Sequence, residues 1–257
     1  MGDARARRRG PRADLRARGG APVSAGSGKG PGGVLGGLRA SSLSLFFAVV
    51  FLASLVAQAV SGVAVFNADQ RSAGLEPLTL GQYVLSSAFW VDVTENWQSE
   101  YLQFLLFITA TVWFVQRGSP ESKKLDQAGR ESDEDQKVGE HATDDSPAWA
   151  RTRGWRLTLY SRSLSLVMGA IFVGSWAAQS AAGAVAFSEE RLRDLEDPVP
   201  WTEYLSMPDF WSRTFQNWQS EMLAVLSMVV LAIFLRERGS PESKPVGSSH
   251  EATGVEG

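Results

Sequence analysis

The side chains best suited to chemistry recur in two matching runs. Asn-Trp-Gln-Ser-Glu stands at residues 96–100 and again at 217–221. On a helix, Asn96, Ser99, Glu100 and Gln103 fall at i, i+3, i+4 and i+7, along one face. The second copy offers Asn217, Ser220 and Glu221, and the face ends at Ala224. A carboxylate at membrane depth is costly and usually faces a bundle interior or a wet cavity. If Glu100 and Glu221 approached each other, one would tend to hold a proton, which would suit a proton or cation site in the outer leaflet. The same run also has a structural reading. Asn96 and Asn217 are good N-caps, the tryptophans suit the interface, and a first-turn glutamate faces the positive end of the helix dipole.

A second paired run, Arg-Gly-Ser-Pro-Glu-Ser-Lys, stands at 117–123 and 238–244. Arg117, Gly118 and Pro120, like Arg238, Gly239 and Pro241, have the pattern of a helix C-terminus. That pattern leaves the recurrence of Glu121 and Lys123, and of Glu242 and Lys244, unexplained, so the run is also a candidate cytoplasmic docking motif. Other chemistry is scarce. Cysteine is absent, and the two histidines, His141 and His250, lie in polar segments. The sequence therefore shows no catalytic residue, metal site or cofactor motif, and the chain reads as a non-enzyme.

The elements that must position these runs are apolar and long. The 24 residues of 43–66 carry no charge, and neither do the 24 of 164–187. Each has one strongly polar side chain, Gln58 or Gln179. Shorter apolar blocks follow at 101–115 and 222–235, and reach spanning length if extended to about 97–116 and 218–236. A mean hydropathy of −0.10 over the whole chain hides these blocks behind charged segments. The blocks at 43–66 and 164–187 lack the polar stripe of a soluble helix, which points to the membrane. The tripeptide Ala57–Gln58–Ala59 mimics a signal cleavage site, but the block is longer than a signal core and has an internal twin. Gln58 and Gly62, like Gln179 and Gly183, share a face, which suggests packing and a hydrogen bond between helices.

Shifting the chain by 121 residues aligns 42–123 with 163–244 without a gap, with 28 identities in 82 positions. The expected fold is therefore all-α: a four-helix membrane bundle made of two tandem two-helix repeats in parallel orientation. Short interfacial helices are expected in the outer loops, over 80–93 and 201–214. The segments are then a disordered Arg/Gly-rich tail over 1–41, the first repeat over 42–123, a flexible charged linker over 124–162, the second repeat over 163–244 and a disordered tail over 245–257. Residues 1–33 resemble nothing in the repeat, which leaves their membership of the native protein open.

Thirteen Lys and Arg flank the spans on one side, against Arg71, Arg191, Arg193 and Arg213 on the other. That bias predicts cytoplasmic termini. The expected partners are the lipid bilayer and either a second copy or other membrane proteins, with no nucleic acid.

With both paired runs in hand, residues 42–245 resemble a family of bacterial multi-pass membrane proteins defined only as a domain of unknown function. The long Arg-rich N-terminus departs from that family. The resemblance implies a bacterial plasma-membrane location and an uncharacterised function, and it carries no catalytic residues across. Two functions follow as expectations: a membrane assembly or interaction component, or a small transporter or channel using Glu100 and Glu221.

Overall fold

The structure, a computed structural model, describes residues 34–255. The expectation for residues 1–33 lies outside the described residues. Among those described, the chain is all-α, with eight α-helices and no strand. It divides into two compact units, one ending at Ser54 and one beginning at Leu55. Helix α2 (Ser42–Ser72) runs through both. In the first unit, Val34–Ala40 forms helix α1, where an irregular tail was expected. Leu38 and Arg39 are good helix formers, and they outweigh the two glycines before them.

In the second unit, the C-terminal half of α2 leads to one helical turn, α3 (Leu80–Tyr83), and then α4 (Ser87–Ala110). Thr79 and Gln82 cap α3 reciprocally, and Ser86 accepts from Phe89 N–H to start α4. Helices α6 (Ser163–Arg193), α7 (Trp201–Tyr204) and α8 (Pro208–Phe234) repeat this order. They begin 121 positions after Ser42, Leu80 and Ser87. Even the turns correspond. The Asn67 amide brackets Leu78, donating to its carbonyl at 2.8 Å and accepting from its N–H at 2.7 Å. The Ser188 hydroxyl does the same to Val199, at 3.1 Å both ways.

These starts correct two expectations. The outer loops hold single turns rather than interfacial helices over 80–93 and 201–214. Asn96 and Asn217 lie in the third turn of their helices and cap nothing. Their side chains donate instead to the carbonyls of Asp92 (2.7 Å) and Arg213 (3.0 Å). Ser86 before α4 and Pro208 in the first turn of α8 supply starts about ten residues earlier.

Three helices are long and apolar enough to cross a membrane: α2, α6 and α8. Helix α4 is not among them, because its first fourteen residues carry Asp92, Glu95 and Glu100. It also stops at Ala110, short of the expected end at 116. Thr109 and Thr111 turn their hydroxyls back onto the carbonyls of Leu105 and Phe107 (2.7 and 2.8 Å), and Val112 adds a second β-branched residue beside Thr111.

Helix α4 lies antiparallel against α6. Ser87 donates to Glu189 at 3.3 Å near one end, and Leu105 sits over Gly169 at the other. Many polar side chains of α4, α6 and α8 are buried. Thr94, Gln98, Ser99, Ser175, Gln179, Ser180 and Thr214 are buried, while many of the large apolar side chains, such as Val56, Val65, Leu223 and Leu231, are exposed.

The linker and C-terminal tail are more ordered than their composition suggests. Short 3₁₀ turns at Leu125–Gln127, Gly139–His141 and Ala148–Arg151 precede helix α5 (Trp155–Ser161). Trp149 and Tyr160 pack their rings at 6.4 Å. Residues 250–254 form turns and bends that lie against Gly118 and Ser119 of the first run.

Candidate functional site

Each Arg-Gly-Ser-Pro-Glu-Ser-Lys run folds as a closed turn. Helix α4 ends seven residues before Arg117, and α8 ends four before Arg238, so neither run terminates a helix. Gly118 and Gly239 hold φ of 85° and 84°, in the left-handed region that glycine adopts without strain. The second serine of each run then closes the turn. Ser122 Oγ accepts from Gln116 N–H at 2.8 Å, and Ser243 Oγ from Glu237 N–H at 3.0 Å. The lysine that follows reaches the carbonyl six residues on: Lys123 to Gly129 and Lys244 to His250, both at 3.0 Å. This accounts for the recurring Ser-Lys that helix termination left unexplained.

Lys244 does more. It is 1% exposed, and its ammonium also donates to the carbonyls of Gly118 (2.6 Å), Ala252 (3.2 Å) and Ser249 (3.3 Å). Thr253 and Gly254 complete the clasp. Thr253 Oγ1 accepts from Gly118 N–H at 2.8 Å, and Gly254 N–H donates to Ser119 at 3.1 Å. Burial, with Arg236 nearby, lowers the Lys244 pKa. Lys123 keeps a carboxylate partner, Glu131 at 2.9 Å, whose pKa falls through that hydrogen bond. The tail covers only the first run: Gly118, Ser119 and Pro120 are buried, whereas Arg238, Gly239 and Pro241 are exposed. Glu121 meets Glu242, its counterpart in the other run. Burial first, then the charge and hydrogen bond of Glu242, push its carboxyl above the usual range. Arg117 lines an open cavity of about 310 Å³ with Lys124, Asp126 and Glu251.

At the outer layer the predicted face splits. Ser99 is fully buried and Gln103 half-buried, but Asn96 and Glu100 are exposed. In the second copy Asn217 and Glu221 are half-buried and Ser220 is exposed. Gly62 and Gly183 serve packing, since a Cβ on either would run into the hydroxyl of Tyr83 or Tyr204. Gln179 makes no hydrogen bond between helices. It is 1% exposed, and its amide nitrogen and oxygen both lack partners among the described residues. Ser180, next in the chain, donates to Ala177 and accepts from Trp201 Nε1.

Two groups escaped the sequence reading. Gln98 is fully buried and accepts from Trp218 Nε1 at 2.7 Å, linking the two outer runs. One turn nearer the outer loops, Arg213 of α8 meets Glu95 (3.2 Å), Asp209 (3.4 Å) and Asp92 (3.9 Å). Asp209 also accepts from the Tyr204 hydroxyl at 2.8 Å; burial first, then that bond, push the phenol well above its ordinary pKa. One signal was available. Asp92 and Arg213 stand at equivalent repeat positions with opposite charges. Among the described residues, no group of three or more His, Cys, Asp or Glu is placed to hold a metal.

No curated protein and no solved structure matches the chain. Residues 36–255 match a family described as Domain of unknown function (DUF6766), and on that coverage the chain belongs to it.

Proposed function

We propose that this protein is a non-enzymatic component of the bacterial plasma membrane that acts by assembling with membrane partners. The observation that carries the reading is where polar and apolar side chains lie: Gln98, Ser99, Gln179 and Thr214 are buried between helices, while most leucines and many valines and phenylalanines of the long helices face outward. In water that arrangement would be costly, and in a bilayer it is the expected one. Two tandem hairpins in parallel orientation form a four-helix unit with both termini in the cytoplasm. Helix α4 makes the fourth crossing. Its 24 residues span about 36 Å at 1.5 Å each, and Arg213 offsets the acids in its outer half. The clasp formed by both Arg-Gly-Ser-Pro-Glu-Ser-Lys runs then presents the cytoplasmic face to partners.

A small cation or proton transporter is the second reading, favoured by the recurrence of a glutamate at equivalent repeat positions, Glu100 and Glu221. Flux of protons, Na⁺ and K⁺ into proteoliposomes containing the full chain separates the two. Absence of flux is expected. Flux abolished by Glu100→Gln with Glu221→Gln would overturn the assembly reading.

A further inference from the structure

The two repeats match in sequence but are used unequally. On α4, one face comprises Val91, which lines a cavity with Gly183 and Ala186 of α6, then Glu95 and Gln98, which bond Arg213 and Trp218 of α8, and then Ser99, Leu102 and Gln103. Four of these six are buried and the other two are half-buried. Shifting by 121 gives Ser212, Gln216, Gln219, Ser220, Leu223 and Ala224 on α8, and all six are exposed. The partner helices differ in the same sense. Gln179 and Gly183 of α6 are buried and Ala186 is half-buried, whereas Gln58 and Gly62 of α2 are half-buried and Val65 is 65% exposed.

Lipid would be a poor cover for this face of α8. Gln216 and Gln219 carry amides that acyl chains cannot satisfy. On α4 the equivalent Gln98 and Ser99 are shut away completely. The repeat itself names the complementary surface: what α6 is to α4, α2 is to α8. The other side of α2 is already engaged in its own hairpin, where Leu55, Ala59, Val63 and Phe66 pack on Tyr83, Phe89, Val93 and Trp97.

Resting on the membrane reading above, we infer that the chain forms a two-fold dimer in which α8 of each copy docks against α2 of the other, in the manner of α4 on α6. A two-fold axis makes both contacts at once and closes the assembly. Neither surface is then left to lipid.

The chain has no cysteine, so cross-linking tests this directly. Val91 and Ala186 line one small cavity between α4 and α6, and their counterparts are Ser212 and Val65. Val65→Cys on a copy with one tag and Ser212→Cys on a copy with another tag are co-expressed, and the membranes oxidised. A disulfide-linked species carrying both tags, at about twice the 27.9 kDa chain, is expected. Absence of that species overturns the dimer. So does a double variant, Val65→Cys with Ser212→Cys, that cross-links only within its own chain. Photobleaching counts on the unsubstituted chain in bilayers give an independent readout: two steps support the dimer and one step overturns it. Resistance to alkaline carbonate extraction is scored in parallel. A chain that stays in the membrane without cross-linking removes the dimer alone, and a chain that washes off removes the membrane reading.

Discussion

The inner clasp turns on single side chains. Lys244 holds four carbonyls with its ammonium and, among the described residues, pairs with no carboxylate; charge-assisted bonds of this kind are worth more than neutral ones. Glu121 poses the opposite problem, a carboxyl held against another carboxyl. Its pKa is raised in the folded chain above an ordinary value near 4.5, so the folded state keeps a proton that the unfolded state releases. The associated stability is full below about pH 4.5 and is lost as pH rises through the raised value. Glu121→Gln keeps a hydrogen bond to Glu242 and removes the titration. Thermal melts in detergent from pH 4 to pH 8 should show a decline for the wild type that the variant lacks. Equal slopes would mean the pair carries no such linkage.

At the scale of elements, the tyrosine that follows each first helix fills the notch left by a glycine. Gly183→Ala places a methyl against the Tyr204 hydroxyl and forces a shift, at a cost of about 1–3 kcal/mol. Tyr204→Phe removes the obstructing oxygen, so the double variant should regain part of the lost melting temperature. Additive losses would show that the two residues do not meet.

Helix existence was legible in the sequence and helix ends were not. The uncharged blocks at 43–66 and 164–187 announced α2 and α6, because only long burial in protein or lipid accommodates 24 such residues. The starts of α4 and α8 were missed because Asn96 and Asn217 are better caps in isolation than in place. Ser86 and Pro208, flanked by the Phe-Trp pairs that pack the helix entries, prevail through tertiary contacts. The clasp was invisible for a related reason. Its partners, Gly118 and residues 249–253, share no local pattern and meet only through folding.

For the whole molecule, the charge bias predicts an orientation that can be checked residue by residue. Leu75 and Leu195 lie in loops proposed to face outward, and Lys124 in the linker proposed to face inward. Single cysteine replacements at these positions should label with a membrane-impermeant maleimide in intact cells at 75 and 195. The site at 124 should react only after permeabilisation. The reverse pattern would invert the topology. The unequal burial of the two repeats bears on the same scale, because a duplicated chain with one satisfied and one bare interface has half of its contacts available for assembly.

The clasp also imposes an order on synthesis. Gly118 is bound by Thr253, 135 residues later in the chain. At about 5–20 residues per second, a ribosome needs roughly 7–27 s to cover that distance. On the membrane reading proposed above, the first repeat can already sit in the bilayer for that interval with this turn unsealed. Whatever binds the open turn, a chaperone or an early partner, has a window that closes when residues 249–254 emerge, so translation speed itself becomes a variable in how this protein matures.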